Sequence, residues 1–435
     1  LLCIAEIELK GNNTTHARTI HRELTFQTGD TLSPRQLELQ ARQSENNLNN
    51  TALFNYVSIA TDSLVGPGKV CVTVDVEERW YTFPSVALEH GERNFNTWLR
   101  EGDLRRTNFG VGLTRNNFRG RGEKLTFNVV FGYEKDFLLR YQGLSLNREK
   151  EHFLGAELNY SYKNNIIYGC QDNEPLSLHL GRLLYERRKA GLHYSYRPGY
   201  YTWYNLYLSY LDYAVADTVV QLADDYFGNT LSRYISLRLH YVLTIDKRDA
   251  RAYPLEGSYT EVFTETAFSI NSTIHSFFVR PEYRLYRKLR KRWYYAGMAK
   301  SKVSFFPQKS FFHAQALGYE DFLRGYDHYL INGQHFGLLQ NVLKFELLPT
   351  QVKTIHFIPL KKFKKVHYAI YLSAFFDTGY VFQKFPSAGG LANQWLYSYG
   401  LGLDLVTYYD KVLRLEIART GTGEFGFFIN LETAI

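Results

Sequence analysis

The first 80 residues of the chain combine two periods of hydrophobic and polar positions. Ala5, Ile7 and Leu9 interleave with Glu6, Glu8 and Lys10, the period of two that marks a half-buried strand. Gly11-Asn12-Asn13 turns the chain, and Ile20 and Leu24, four apart, predict a first helix that Gly29-Asp30 breaks. A second helix starts with Ser33 as N-cap, Pro34 at the first helical position and Gln36 completing a capping box. Leu37, Ala41 and Leu48 form its apolar stripe. Two strands follow, Phe54 to Ala60 and Lys69 to Glu77, the second placing Val70, Val72, Val74 and Val76 on one face and Cys71, Thr73, Asp75 and Glu77 on the other. The expectation for residues 1–80 is a β-α-α-β-β unit, a three-stranded sheet covered by two helices.

From Trp80 onward the helical period disappears. Segments of roughly ten residues alternate between apolar and polar positions, the pattern of strands with one face toward lipid and the other toward a wet lumen. Ile235, Leu237, Leu239, Tyr241, Leu243 and Ile245 alternate with Ser236, Arg238, His240, Val242 and Thr244; Tyr397, Tyr399, Leu401, Leu403 and Leu405 do the same against Ser398, Gly400, Gly402 and Asp404. A membrane strand needs ~9 to 11 residues, so residues 81–435 accommodate about 16 antiparallel strands with turns. Closure into a barrel follows because lipid offers no partner to an open sheet edge. With an even strand number, the longest irregular stretch, about 305–336, falls on the outer side, and the basic runs at 286–292 and 361–365 fall on the inner side. Those runs read first as solvated turns, and otherwise as contacts for anionic headgroups or an acidic partner. A soluble sandwich or propeller fits poorly, because no fixed-period blade motif recurs.

Composition sharpens this picture. Among 435 residues there are 35 Tyr and 31 Phe against 1 Met and 3 Cys, and rings with a wet and an oily end suit a bilayer interface. The mean hydropathy of −0.32, with no long uncharged apolar run, excludes a helical membrane protein. The formal charge of +8 is concentrated in the short basic runs, and no nucleic-acid motif accompanies it, so nucleic acid is not an expected partner. Cys3, Cys71 and Cys170 lack zinc or redox spacing and are expected as free thiols, a Cys3–Cys71 disulfide being opposed by the predicted faces. No secretory leader precedes Cys3, so an export signal is expected outside this numbering or already removed. His152, His179 and the other histidines show no metal spacing, no nucleophile elbow is present, and no Gly-rich loop opens a helix. The expectation is therefore a protein without a cofactor, a metal or enzymatic chemistry of its own.

Several motifs, in order along the chain, carry a resemblance. Ile7-Glu8-Leu9-Lys10-Gly11-Asn12 lies within the first unit. Asp246-Lys-Arg248-Asp249 is followed by Tyr253-Pro254 and Gly257. Leu323-Arg324-Gly325-Tyr326 lies in the longest loop, and Phe375-Phe376-Asp377-Thr378-Gly379 in a late strand. Together these resemble the superfamily of outer-membrane barrels with POTRA domains, which includes the BamA and TamA assembly factors and the two-partner secretion transporters. The resemblance implies a POTRA-like periplasmic domain over 1–80 and a transmembrane β-barrel over 81–435. It also implies a periplasmic turn motif at Asp246, Arg248, Asp249, Pro254 and Gly257, and an outer loop that folds back into the lumen to carry Arg324. An arginine drawn into a water-poor lumen needs fixed carboxylates. Alternation places Glu346, Asp377, Asp404 and Glu416 inward, and the resemblance selects Glu346 and Asp377 as partners of Arg324. One POTRA-like unit is present where BamA-type members usually carry several, which leaves open whether further units precede residue 1.

The function expected from the resemblance is an assembly factor or insertase of the bacterial cell outer membrane, its POTRA domain in the periplasm. Its partners would be the lipid bilayer, client outer-membrane polypeptides and periplasmic or lipoprotein accessory subunits. Client strands would be accepted at the POTRA sheet edge and at a weak seam between the first strand, near Pro84 to Glu89, and the last, near Phe425 to Thr433. Pro84 lacks a ladder donor, Gly91 follows it, and Phe425 and Phe427 come just after the flexible Gly421-Thr-Gly423. The alternative is a polypeptide-translocating or solute channel through the lumen.

Overall fold

The computed structural model describes residues 1–66, 68–90, 107–132, 134–306, 310–354, 365–385, 390–407 and 411–433. The N-terminal unit comprises β1 (Leu2–Lys10), α1 (Ala17–His21), β2 (Thr31–Leu32), α2 (Pro34–Asn50), β3 (Phe54–Gly66) and β4 (Lys69–Glu78). Its sheet order is β2-β1-β4-β3, with β1 running parallel to β4. The sheet thus has a fourth, short strand beyond the three expected. Gly29, at φ +96°, returns the chain along β1, and the Gly29 N–H donates to the Ile4 carbonyl at 2.8 Å while the Ile4 N–H donates to Asp30 at 2.9 Å. α1 ends at His21, where the Glu23 and Leu24 N–H groups turn back to the Ile20 and His21 carbonyls at 2.9 and 3.2 Å; Leu24 is buried all the same. α2 is built as its sequence demands, Ser33 and Gln36 forming the reciprocal capping box and Leu37 and Leu48 buried on the sheet. Val70, Val72, Val74 and Val76 join Ile4, Ile20 and Phe54 in one core. None of the three cysteines is in a disulfide, and Cys3 stands opposite Lys69 rather than Cys71.

The passage into the next domain is short and ordered. The Glu78 carboxylate accepts the Thr14 and Thr15 N–H groups at 2.9 and 2.6 Å, and the buried Tyr81 phenol donates to the Leu53 carbonyl at 3.0 Å. Burial pushes that phenol's pKa up to about 12, so it remains a donor at any physiological pH.

The remaining strands are β5 (Thr82–His90), β6 (Thr107–Phe118), β7 (Glu123–Gly132), β8 (Glu134–Ser145), β9 (His152–Lys163), β10 (Asn165–Gln171), β11 (Glu174–His179), β12 (Tyr185–Tyr196), β13 (Thr202–Val215), β14 (Arg233–Asp246), β15 (Gly257–Ser269), β16 (Ser276–Arg290), β17 (Trp293–Phe305), β18 (Gln315–Leu317), β19 (Ile331–Asn332), β20 (His335–Thr354), β21 (Lys365–Phe382), β22 (Trp395–Thr407), β23 (Lys411–Thr420) and β24 (Phe425–Thr433). α3 (Asp217–Leu222) lies between β13 and β14. Leaving aside the two small hairpins β10-β11 and β18-β19, they form one 16-stranded sheet that runs from β5 to β24, each strand antiparallel to its neighbours. Alternation sets its two faces. On β14, Leu237 and Leu239 are 44 and 40% exposed on the outside while Ser236 is fully buried. On β22, Leu401 is 59% exposed and Asp404 only 1%. An apolar outer face and a polar lining are what a barrel in lipid requires. Of the two basic runs, the end of β16 and the turn at Lys291 and Arg292 are exposed; residues 361–364 of the second lie outside the described residues.

Candidate functional site

The lumen is crossed from both ends. From the outer end, the chain between β17 and β20 folds inward, and Leu323, Tyr326 and Ile331 pack against Phe336, Val381 and Leu396 of the barrel wall. At its tip Arg324 pairs with Asp377 of β21 through two parallel bonds of 2.6 Å each, and its remaining nitrogen reaches Glu416 of β23 at 3.1 Å. Asp377 is fully buried and Glu416 is 3% exposed. The guanidinium also lies 3.9 Å over the Phe375 ring. Gln340 of β20 donates to Asp377 at 3.3 Å, holding the carboxylate from the other side. Gly325, at φ +87°, passes so close to the wall that a Cβ would come within 2.9 Å of Thr420. Tyr326 anchors the tip, its hydroxyl donating to the Tyr397 carbonyl at 3.3 Å and accepting the Gly421 N–H at 3.2 Å.

Glu346 is not a partner of Arg324, and here the expectation is corrected. It stands opposite Tyr371 on β21, which at ~3.3 Å per residue is about 20 Å along the strand from Asp377. Parity was sufficient to place Glu346 inward but carries no depth. The second partner, Glu416, was legible as inward-facing. The ladder sets it beside Gly402 and hence beside Ser373, four residues along β21 from Asp377, a gap that the Arg324 guanidinium spans by bonding to both acids.

From the inner end, the turn between β14 and β15 is the counterpart of the outer loop. Asp246 accepts both arms of Arg248, at 2.7 and 2.8 Å, and Arg251 at 3.1 Å. Asp249 caps the turn by accepting the Ala250 and Leu255 N–H groups at 2.8 and 3.1 Å. Gly257, at φ +106°, closes it; a Cβ there would sit 2.2 Å from the Lys247 carbonyl oxygen. Pro254 follows Tyr253, which reaches across the mouth of the barrel and donates to Asp404 of β22 at 2.7 Å, beneath the Lys344 ammonium at 3.8 Å. Asp404 also holds Arg414 at 3.0 Å. The sequence pointed to this motif as a turn; that Tyr253 is a strut to β22 it did not show, since the contact joins residues 151 apart. Tyr253→Phe removes one donor from a buried carboxylate and is expected to cost about 1–3 kcal/mol, read as a lower urea midpoint in detergent micelles.

The N-terminal unit docks under this mouth. Glu23 forms a two-pronged ion pair with Arg197 in the β12-β13 turn, one arm at 2.9 Å. Arg22 donates to the carbonyls of Arg197 and Gly199 at 2.9 Å each, and Asn117 donates to Thr15 at 2.8 Å. Lys150 reaches Thr19 at 2.6 Å. Asn50 of α2 accepts the Arg251 N–H at 3.1 Å, which ties the N-terminal unit to the inner strut.

The seam residues lie at the two ends of the sheet. Among the described residues the ladder starts with β5 and finishes with β24, and no pairing between those two is registered. Pro84 is exposed and faces Leu113 of β6, while Phe425 and Phe427 are 72 and 53% exposed on β24. Gly91 lies outside the described residues.

A four-stranded αβ module thus precedes a 16-stranded antiparallel sheet that encloses an inserted arginine loop. Residues 3–79 match the POTRA family, described as "Surface antigen variable number repeat". The whole chain shares its fold with solved structures of BamA and CdiB. The crystal structure of BamA from Haemophilus ducreyi lacking POTRA domains 1–3 aligns with a TM-score of 0.54 at 15% identity, over 99% of this chain and 85% of that one. CdiB from Escherichia coli aligns with a TM-score of 0.56 at 13% identity, over 99% and 75%. CdiB from Acinetobacter baumannii aligns at 0.52 and 13%, over 99% and 74%. In the comparison with curated protein sequences nothing matches.

Proposed function

We propose that the chain is an outer-membrane assembly factor that inserts client β-barrel polypeptides, without enzymatic chemistry, its POTRA domain in the periplasm. The observation that carries this reading is the sheet order, which leaves β5 and β24 as the two ends of the barrel ladder. Such ends hold backbone donors and acceptors that an incoming strand can pair with by β-augmentation. β3 supplies a second place of the same kind, being a 13-residue strand on the edge of the POTRA sheet with Tyr56 exposed. The struts give the mechanism its asymmetry. Arg324 ties the outer loop to β21 and β23, and Tyr253 ties the inner turn to β22. The last wall is therefore braced from inside through β24, which Asn430 ties to Glu416, and opening is directed to the β24–β5 boundary. Clients, anionic lipid and periplasmic or lipoprotein subunits are the partners of this reading.

The rival reading is a channel, and it draws on a cavity of ≈ 490 Å³ at the inner mouth, where Asn46, Asn49 and Asn116 line the wall with amides suited to a peptide backbone. Reconstitution into liposomes separates the two. An assembly factor is expected to accelerate the folding of a urea-denatured barrel client severalfold over empty liposomes, with no client-independent conductance in planar bilayers. Steady conductance without acceleration would move the channel ahead.

A further inference from the structure

Between the POTRA helices and the inner turns of the barrel lies a cavity of ≈ 210 Å³. Arg22, Arg121, Lys150, Arg197, Arg248 and Arg251 line it, against Glu23 and Asp246 as the lining carboxylates. Asp246 is engaged by Arg248 and Arg251, and Glu23 by Arg197. That leaves three cations without a carboxylate within ion-pair distance among the described residues. Arg22 donates to main-chain carbonyls, Lys150 to Thr19 and the Arg121 carbonyl, and Arg121 forms no ion pair. Arg197 is 8% exposed, and its Nε, buried, has no hydrogen-bond partner.

Lys150 and Arg197 are buried, Arg22 is half-buried and Arg121 is exposed, and buried charge of one sign is costly unless something of the other sign completes it. The volume is several times the ≈ 30 Å³ that a water occupies in the liquid, enough for one compact oxyanion with its residual hydration. Planar guanidinium forks and an ammonium are the groups that hold such an anion, the first in two-pronged fashion and the second as a point charge. We propose that this cavity is a phosphate-binding site that clamps the POTRA domain to the barrel, with Arg22 on the POTRA side and Arg121, Lys150 and Arg197 on the barrel side. Lys150 is consistent with this: burial pulls its ammonium down to about 8, with Arg121 lowering it further and Glu123 opposing. Burial first and then Arg197 likewise lower Arg22. A bound phosphate offsets both. The phosphate could be a free anion of the periplasm or the headgroup of a lipid in the inner leaflet, and the two are separable by experiment.

The test uses the full chain in dodecyl maltoside, titrated calorimetrically with inorganic phosphate and, separately, with dihexanoylphosphatidylglycerol, against chloride at matched ionic strength. Saturable binding of inorganic phosphate supports the site with a free anion as ligand; binding of the lipid alone supports it with the headgroup as ligand. Arg121→Gln and Lys150→Met are each expected to weaken binding at least tenfold. Arg121 is the decisive variant, because only its main chain contacts the groups that hold the POTRA domain, so docking persists. As a second readout, the ligand should slow acetylation of Lys150 by an amine-reactive ester severalfold, measured by mass spectrometry. The proposal is overturned if neither probe binds above the chloride control, or if Arg121→Gln and Lys150→Met bind as tightly as the unsubstituted protein.

Discussion

Arg324→Ala is expected to leave the barrel folded but destabilised by about 3–5 kcal/mol, the cost of stranding a buried charge. The substitution removes the cation between Asp377, fully buried, and Glu416, 3% exposed, and leaves the two acids with no opposite charge between them. The outer loop loses its tip anchor at the same time. Arg324→Lys should recover only part of the loss, because one ammonium cannot reproduce two parallel bonds to Asp377 and a third to Glu416. Neutralising the acids in the Arg324→Ala background, as Asp377→Asn with Glu416→Gln, should recover more, since the unpaired charges are then gone. Glu346→Gln should change stability by no more than about 0.5 kcal/mol, as for a position outside the network. The measurement is the urea midpoint followed by the heat-modifiable band shift on unheated gels, with limited proteolysis of residues 310–334 reporting the loop. An Arg324→Ala midpoint indistinguishable from the parent would show that the triad holds nothing.

How far the sequence reaches into this site differs from residue to residue. Side-chain period is local, so the lumen face of β22 and the outward face of β14 could be read from a dozen residues each. Capping chemistry is local too, and Ser33 with Gln36 marked the start of α2 without ambiguity. Depth along the barrel axis is not local. It depends on which residues each ladder sets opposite one another, and on β20 it is Gln340, six residues before Glu346, that stands opposite Asp377. For that reason Glu346 and Glu416 look equivalent in sequence and are not in space. The same holds for Tyr253, whose partner Asp404 lies on a strand eight further along the chain, and for the docking pairs Glu23–Arg197 and Thr19–Lys150, which join domains. The short β2 was missed because two residues give no period to detect; Gly29, placed as a helix stop, was the signal that the chain turns back.

The struts also explain why a barrel can be stable yet have one weak boundary. Among the described residues, interior ladders run from seven positions between β7 and β8 to 13 between β13 and β14, and longer still between β20 and β21. β5 is held by β6 alone and β24 by β23 alone among the described residues, over nine positions each, and Pro84 removes one donor from the first of them. Arg324, Glu416 and Asn430 connect the bracing to the inner face of β24, the Asn430 amide donating to Glu416 at 3.3 Å. The outer loop is thus tied to β24 through Glu416.

Locking the seam tests the central claim most directly. In a background with Cys3, Cys71 and Cys170 replaced by serine, a cysteine at Val86 is combined in turn with one at Phe425, Phe427 or Ile429. The scan finds the register at which the Cα atoms come within the ~7 Å a disulfide spans. Val86, 86% exposed on the outer face, accepts the change without disturbing the lumen. The measurement is the rate of client-barrel insertion into liposomes by the oxidised protein and by the same sample after reduction. The account predicts that the crosslinked protein keeps its folded mobility and loses at least tenfold in rate, with recovery on reduction. Insertion by the oxidised protein at the reduced rate would contradict it.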